Sequence, residues 1–416
     1  MSETSDSKAT VRSSRPSFNV PVIDDASVLW KDVVFAPAHD LQLRLYKPAD
    51  STGSKLPVFF YFHGGGFCIG SRTWPNCQNY CFQLTSRLRA VVIAPDYRLA
   101  PENRLPSAIE DSLLAVKWLQ TQALSNEPDP WLSYVADFSR VFISGDSAGG
   151  NIAHHLAARL GFGSPELTPV RVKGYVLLAP FFGGTIRTKL EAEGPKDAFL
   201  NLELIDRFWR LSVPVGETTD HPVVNPFGPY SESLEAINFD PILVVAGGSD
   251  LLKDRAEDYA RRLKEWGKDI EYVEFEGQQH GFFTIDPNSE PSNKLMLIIK
   301  QFIEKHFGKV RVMKRDKITF LSLKYCRLCL PVGETTDNPL VNPFGPNSKS
   351  LEATKLDPIL VVAAGSLFKD MTENCARRLK EWGKDVEYVE FEGQQHGFFT
   401  NDPNSELSNK LMLVVK

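Results

Sequence analysis

Cysteine is scarce, with 6 residues scattered through 416 and no framework spacing. That pattern excludes a disulfide-stapled scaffold and fits a reducing compartment, so a cytoplasmic location is expected. Long apolar runs are missing too. Nothing approaches the roughly 20 consecutive apolar residues of a membrane helix, so no membrane span is expected. The first 18 residues are polar and Ser-rich, without the apolar centre of a secretory leader, and Glu3 and Asp6 speak against a transit peptide. Charge of one sign is also lacking. Lys plus Arg is 47 and Asp plus Glu is 52, a net charge of −5, which predicts no nucleic-acid partner.

What is present is an ordinary globular mixture, 42% hydrophobic and 24% charged, long enough for one large domain plus extras. Residues 1–28 read as a flexible arm or lid rich in Ser and charge. Short β-like runs follow at 32–35, 41–46, 57–62, 90–94, 140–144, 174–179, 241–246 and 270–275. The later ones are continuous Val/Ile/Leu/Phe stretches, the mark of strands buried on both faces. Helix-period segments lie between them, at 106–120, 151–160 and 255–266. The alternation predicts an α/β fold with a mainly parallel eight-stranded sheet flanked by helices over 29–307. Residues 181–239 exceed a simple crossover. They include a helix at 201–210 and a Pro/Gly-rich loop, and are expected to form a cap with the N-terminal arm.

The chain then repeats itself. Residues 210–300 return in degenerate form as 327–416; VPVGETTDHPVVNPFG from Val213 reappears as LPVGETTDNPLVNPFG from Leu330. The offset is 117 at the start (330 − 213) and 116 at the two histidines (396 − 280). The residue lost is simplest aligned as Asp250. Residues 308–326 form a basic junction, read as a solvated linker. The second copy keeps His396 but has no serine elbow and no partner for Asp250. It is expected to be non-catalytic, and could compete with copy one for its sheet positions.

Gly145-Asp146-Ser147-Ala148-Gly149 fits G-x-S-x-G. It follows the apolar run Val141-Phe142-Ile143 and opens the helix-like NIAHHLAARL, the strand–turn–helix setting of a nucleophile elbow. A serine hydroxyl needs a base, and the base an orienting carboxylate. His280 lies just past the run at 270–275 and Asp250 just past that at 241–246, so all three fall at carboxyl ends of strands. Asp254 is the rival acid, one turn inside the following helix. His63-Gly64-Gly65-Gly66 follows the run at 57–62. Three glycines after a buried strand can bring backbone N–H groups close to a substrate oxygen, and with the N–H of Ala148 they would form an oxyanion hole. A phosphate loop would need a Lys-Ser/Thr that is absent here.

Other candidates carry less. Cys326-x-x-Cys329 stands alone, with Trp209 and Ser212 at the matching places of copy one, so no metal or redox centre is expected. His154 and His155 lie in the helix after the elbow, one expected toward solvent and one toward the sheet. Phe67, Phe181, Phe182, Trp209, Phe282 and Phe283 are expected mostly in the core, with a few lining the cleft.

HGGGF, DYRLAPE, GDSAGGN and HGFF together resemble the plant carboxylesterase branch of the hormone-sensitive-lipase family of α/β-hydrolases. The match runs over about 29–307. The resemblance implies a serine carboxylesterase with Ser147, Asp250 and His280 as triad, Gly65, Gly66 and Ala148 as oxyanion donors, and His63 and Gly64 as structural members of that loop, acting on a small ester or lactone without cofactor. Asp96 and Arg98 read as scaffold. The subgroup also implies strigolactone-type substrates as one option. Two alternatives share the scaffold: hormone receptors of the gibberellin type, in which the catalytic histidine is lost, and dehydratases.

Overall fold

The structure, a computed structural model, describes residues 25–51, 55–196, 198–306, 359–364, 377, 379–381 and 386–391. The remainder of the arm, the basic junction, the Cys326–Cys329 pair and His396 lie outside the described residues.

The chain opens with β1 (Val28–Ala36) and β2 (Leu41–Pro48), an antiparallel pair. Then follow β3 (Leu56–Phe62), α1 (Pro75–Leu88), β4 (Val91–Pro95), α2 (Ser107–Leu124), α3 (Pro130–Val135) and β5 (Ala136–Asp146). α4 (Ala148–Leu160) leads to β6 (Val172–Leu178), then α5 (Lys189–Glu193) and α6 (Leu202–Ser212). β7 (Ile242–Gly247), α7 (Lys253–Glu265), β8 (Ile270–Phe275), α8 (Phe282–Ile285) and α9 (Glu290–His306) complete this unit. The eight strands form one sheet in the order β1-β2-β4-β3-β5-β6-β7-β8, antiparallel at β1/β2 and β2/β4 and parallel elsewhere. The expected sheet is therefore observed, with β1 and β5 longer than the sequence reading gave. Because β1 begins at Val28, the arm ends one residue sooner than its expected boundary.

The central strands read as unbroken apolar runs because both faces are covered. Phe60 and Phe62 point into one core layer, Phe59 and Tyr61 into the other, all at most 1% exposed. Each such side chain contributes about 2 kcal/mol of burial. β1, an edge strand, is covered less completely, leaving Leu29, Trp30 and Val34 exposed, and the Arg44 guanidinium stacks over Trp30 at 3.9 Å.

The insertion between β6 and β7 is tied down by charge. Arg255 on α7 binds both oxygens of the buried Glu191 at 2.5 and 2.7 Å and the carbonyls of Gly183 and Ile186. Asp254 accepts the Leu190 N–H at 2.8 Å, which commits the rival acid to structure. Asn201 caps α6 by accepting the Leu204 N–H.

In a second unit, β9 (Ile359–Ala364) and β10 (Val386–Phe391) pair in parallel. Ile359 stands opposite Val386, the register in which Ile242 stands opposite Ile270.

Candidate active site

The nucleophile elbow is built by close backbone approach. α4 starts at Ala148, directly after Ser147, so the helix begins three residues earlier than its apolar period indicated. Ser147 holds φ 54° and ψ −114°, a conformation that costs an L-residue about 1–3 kcal/mol. Its N–H bonds Leu178 O at 2.8 Å, and its carbonyl accepts from Phe181 and Asn151. A Cβ on Gly149 would stand 1.9 Å from Phe62 O, so only glycine lets α4 press against the end of β3. Ala148 is buried behind Ser147. As the first residue of α4, it has no carbonyl one turn earlier for its N–H.

The glycine loop after β3 faces the elbow. Gly65 and Gly66 have φ of 119° and 57°. A Cβ on Gly66 would meet the Phe208 ring at 2.3 Å. His63 is buried, stacked on Tyr97 at 4.3 Å, with Nδ1 2.8 Å from Gly64 O. The Tyr97 hydroxyl donates to His63 O at 2.7 Å.

His280 and Asp250 meet across the β7 and β8 ends, Nδ1 to Oδ2 at 2.7 Å. The second Asp250 oxygen accepts the Leu252 N–H at 3.0 Å, so the capping role and the histidine-orienting role coexist in one carboxylate. Ser147, His280, Gly64, Gly65 and Gly66 all line one cavity of about 230 Å³. Asp250 and Ala148 stand behind that lining. The arrangement presents a hydroxyl, an oriented imidazole and a glycine loop to one bound molecule.

The cavity also contains residues the sequence reading missed. Trp74, Phe199, Leu204 and Phe208 supply its apolar wall, whereas the six aromatic residues named above do not line it. Phe181 and Trp209 instead stack at 4.0 Å, both buried in the core. Helical periodicity marked α6 but not which of its faces looks into the cleft. Asp146 lines the cavity too, and burial pushes its carboxyl above the usual range.

The two helix histidines differ in exposure. His154 is buried against Tyr259, 2.9 Å from the hydroxyl. His155 is only partly buried, with Val223 O 3.2 Å from its Nε2. Burial pulls the His154 pKa well down and the His155 pKa to about 4. Among the described residues no cluster of His, Cys, Asp and Glu suits a metal ion. Asp96 and Arg98 are scaffold as read: Asp96 holds Arg72, and Arg98 grips the buried Asp111.

The sheet order, the elbow and the facing glycine loop define an α/β-hydrolase. A family model described as alpha/beta hydrolase fold matches residues 59–284 and 300–400, and the chain belongs to that family. Its plant relatives place it in the hormone-sensitive-lipase-type group. Carboxylesterase 20 of Arabidopsis thaliana is 35% identical over 282 residues, 66% of this chain and 84% of the relative. The gibberellin receptor GID1C of Arabidopsis thaliana is 35% identical over 286 residues, 65% and 79% respectively. Among solved structures, the thermostable carboxylesterase EstE1, cloned from a metagenomic library, aligns with a TM-score of 0.59 at 27% identity, covering 69% of this chain and 92% of that one. An esterase-type hydrolase fold is therefore shared with enzymes and with receptors. Among the described residues no helix is long and apolar enough to cross a membrane.

Proposed function

We propose that the protein is a serine carboxylesterase that hydrolyses small neutral esters or lactones through an acyl-enzyme. The observation that carries this is the His280–Asp250 bond of 2.7 Å beside a cavity lined by Ser147 and the glycine loop. Ser147 Oγ attacks the carbonyl carbon and His280 Nε2 takes its proton. Asp250 holds the ring in the tautomer in which Nε2 carries no proton and accepts this one. The Gly65, Gly66 and Ala148 N–H groups receive the negative charge on the carbonyl oxygen. His280 then protonates the leaving alkoxide, and a water activated by the same ring releases the acid.

The cavity supports the substrate class. Among the described residues that line it there is no Lys or Arg, so these offer a bound carboxylate or phosphate no Lys or Arg partner. Its apolar wall suits a hydrophobic acyl or alcohol part. The buried Cys68, Cys77 and Cys81 are thiols outside any disulfide, which supports a reducing compartment, for which we propose the cytosol.

The receptor reading is favoured by the identity to GID1C, equal to that for Carboxylesterase 20. The intact His280–Asp250 pair favours the enzyme. A panel of p-nitrophenyl esters and lactones, run with the full chain and with Ser147→Ala, decides between them. Release of acid and alcohol by the unmodified chain alone supports the esterase. Ligand binding without turnover supports the receptor.

A further inference from the structure

The two ends of the cavity are unlike. One end belongs to the segment that carries His280. Gly281, Thr284 and Ile285 line it, and the first turn of α1 brings Asn76 to the same cavity. α1 and this segment pack together: the Tyr80 and Phe283 rings stand 5.2 Å apart, and Gln83 Nε2 donates to Pro287 O at 2.9 Å. This end is open, with Ile285 37% exposed. It also carries hydrogen-bonding groups. The Thr284 hydroxyl donates to Gly281 O at 3.0 Å, so its proton is committed. The Asn76 amide has no hydrogen-bond partner among the described residues, so its Nδ2 supplies a donor for a ligand oxygen.

The other end lies against the glycine loop and is closed. The Phe208 ring sits so near Gly66 that a Cβ there would stand 2.3 Å from it. Phe208 is 5% exposed, with Phe181 edge-on to it at 6.3 Å and Trp209 stacked on Phe181 at 4.0 Å. Ile69, beside Gly65, and Leu204, one helical turn from Phe208 on α6, extend this apolar wall. The chemistry orients an ester between the two ends. His280 protonates the departing alkoxide, so the alcohol oxygen lies beside the imidazole and the rest of the alcohol occupies the open end. The acyl chain points away from the imidazole, toward Phe208.

We propose that the enzyme selects esters of short apolar acids with larger alcohols that bear a second oxygen acceptor, Phe208 limiting the acyl chain and Asn76 binding that oxygen. This rests on the esterase reading. In an apolar pocket one methylene changes discrimination by about 10–200-fold, whereas a single neutral hydrogen bond contributes about tenfold or less. Acyl length is therefore the sharper of the two selections.

The test uses the full chain and its Phe208→Ala, Phe208→Leu and Asn76→Leu variants. It reads two ratios of kcat/KM from acid release, each corrected for the esters' rates of alkaline hydrolysis. The acyl ratio compares p-nitrophenyl octanoate with p-nitrophenyl acetate. The alcohol ratio compares 4-oxocyclohexyl acetate with cyclohexyl acetate, two rings that differ by one acceptor oxygen. The unmodified chain should favour acetate over octanoate by about tenfold or more, and the oxo ring by about three- to tenfold. Phe208→Ala should raise the acyl ratio about tenfold and leave the alcohol ratio in place. Phe208→Leu should fall between, and serves if the alanine variant fails to fold. Asn76→Leu should bring the alcohol ratio to about one. A parent that prefers octanoate, an acyl ratio unmoved in the Phe208 variants that fold, or an alcohol ratio unmoved in Asn76→Leu overturns this inference and leaves the esterase reading standing. Absence of turnover of every ester by the unmodified chain overturns that reading, and this inference with it.

Discussion

His280 and Asp250 are separated by 30 residues in sequence and by 2.7 Å in space, Nδ1 to Oδ2, with the carboxylate buried. A strand–helix–strand unit brings them together: both residues follow the carboxyl ends of adjacent parallel strands, β7 and β8. The consequence is testable by an isosteric change. Asp250→Asn keeps an acceptor for the Leu252 N–H, so the fold should hold. The amide stabilises the wrong imidazole tautomer and cannot offset an imidazolium. A fall in kcat of about 10⁴-fold is expected, measured with circular dichroism as the folding control.

A second prediction concerns a glycine outside the cavity lining. A Cβ on Gly247 would stand 2.4 Å from Gln278 O and 3.0 Å from Gln279 O, both in the loop that carries His280. Gly247→Ala must displace that loop. A shift near 1 Å costs about 10²-fold in rate, so kcat should fall by that order while KM changes little. In the second copy Ala364 pairs with Phe391 in the register where Gly247 pairs with Phe275.

The tail is predicted to be dispensable. The described residues that line the cavity fall between Tyr61 and Ile285. Cutting the chain after Phe307 should leave kcat/KM unchanged. A rise on truncation would show instead that copy two competes for the sheet positions of copy one.

A pH effect follows from His155. Its pKa falls from the ordinary imidazole value of about 6.5 to about 4 in the folded chain because burial disfavours the cation. The unfolded chain therefore binds the proton first, and stability falls as pH drops through this window. Between pH 8 and pH 5 the loss from this one group is about 2 kcal/mol. Asp240 acts in the opposite sense, since burial raises its pKa to about 6. The His155 contribution is isolated by difference. Urea midpoints of the parent and His155→Gln should converge or cross as pH falls from 8 to 5, because only the parent loses this contribution.

Much of this site was readable in advance because its parts are local patterns. Val141-Phe142-Ile143 before Gly145 announced a buried strand meeting a tight turn, and the late apolar runs placed Asp250 and His280 at strand ends. The reading failed where tertiary context decides. α1 went unnamed because its sequence NCQNYCFQLTSRL is rich in polar residues, yet Asn79 and Thr85 are fully buried in it. Phe199 and Phe208 became cavity wall while Phe181 and Trp209 became core, a choice that apolar character alone does not encode.

The most direct measurement is peptide mass mapping after reaction with a p-nitrophenyl phosphonate. The account predicts one adduct per chain, on Ser147, and a much slower reaction in His280→Ala. A chain that stays unlabelled while folded, or carries the adduct on another residue, contradicts it.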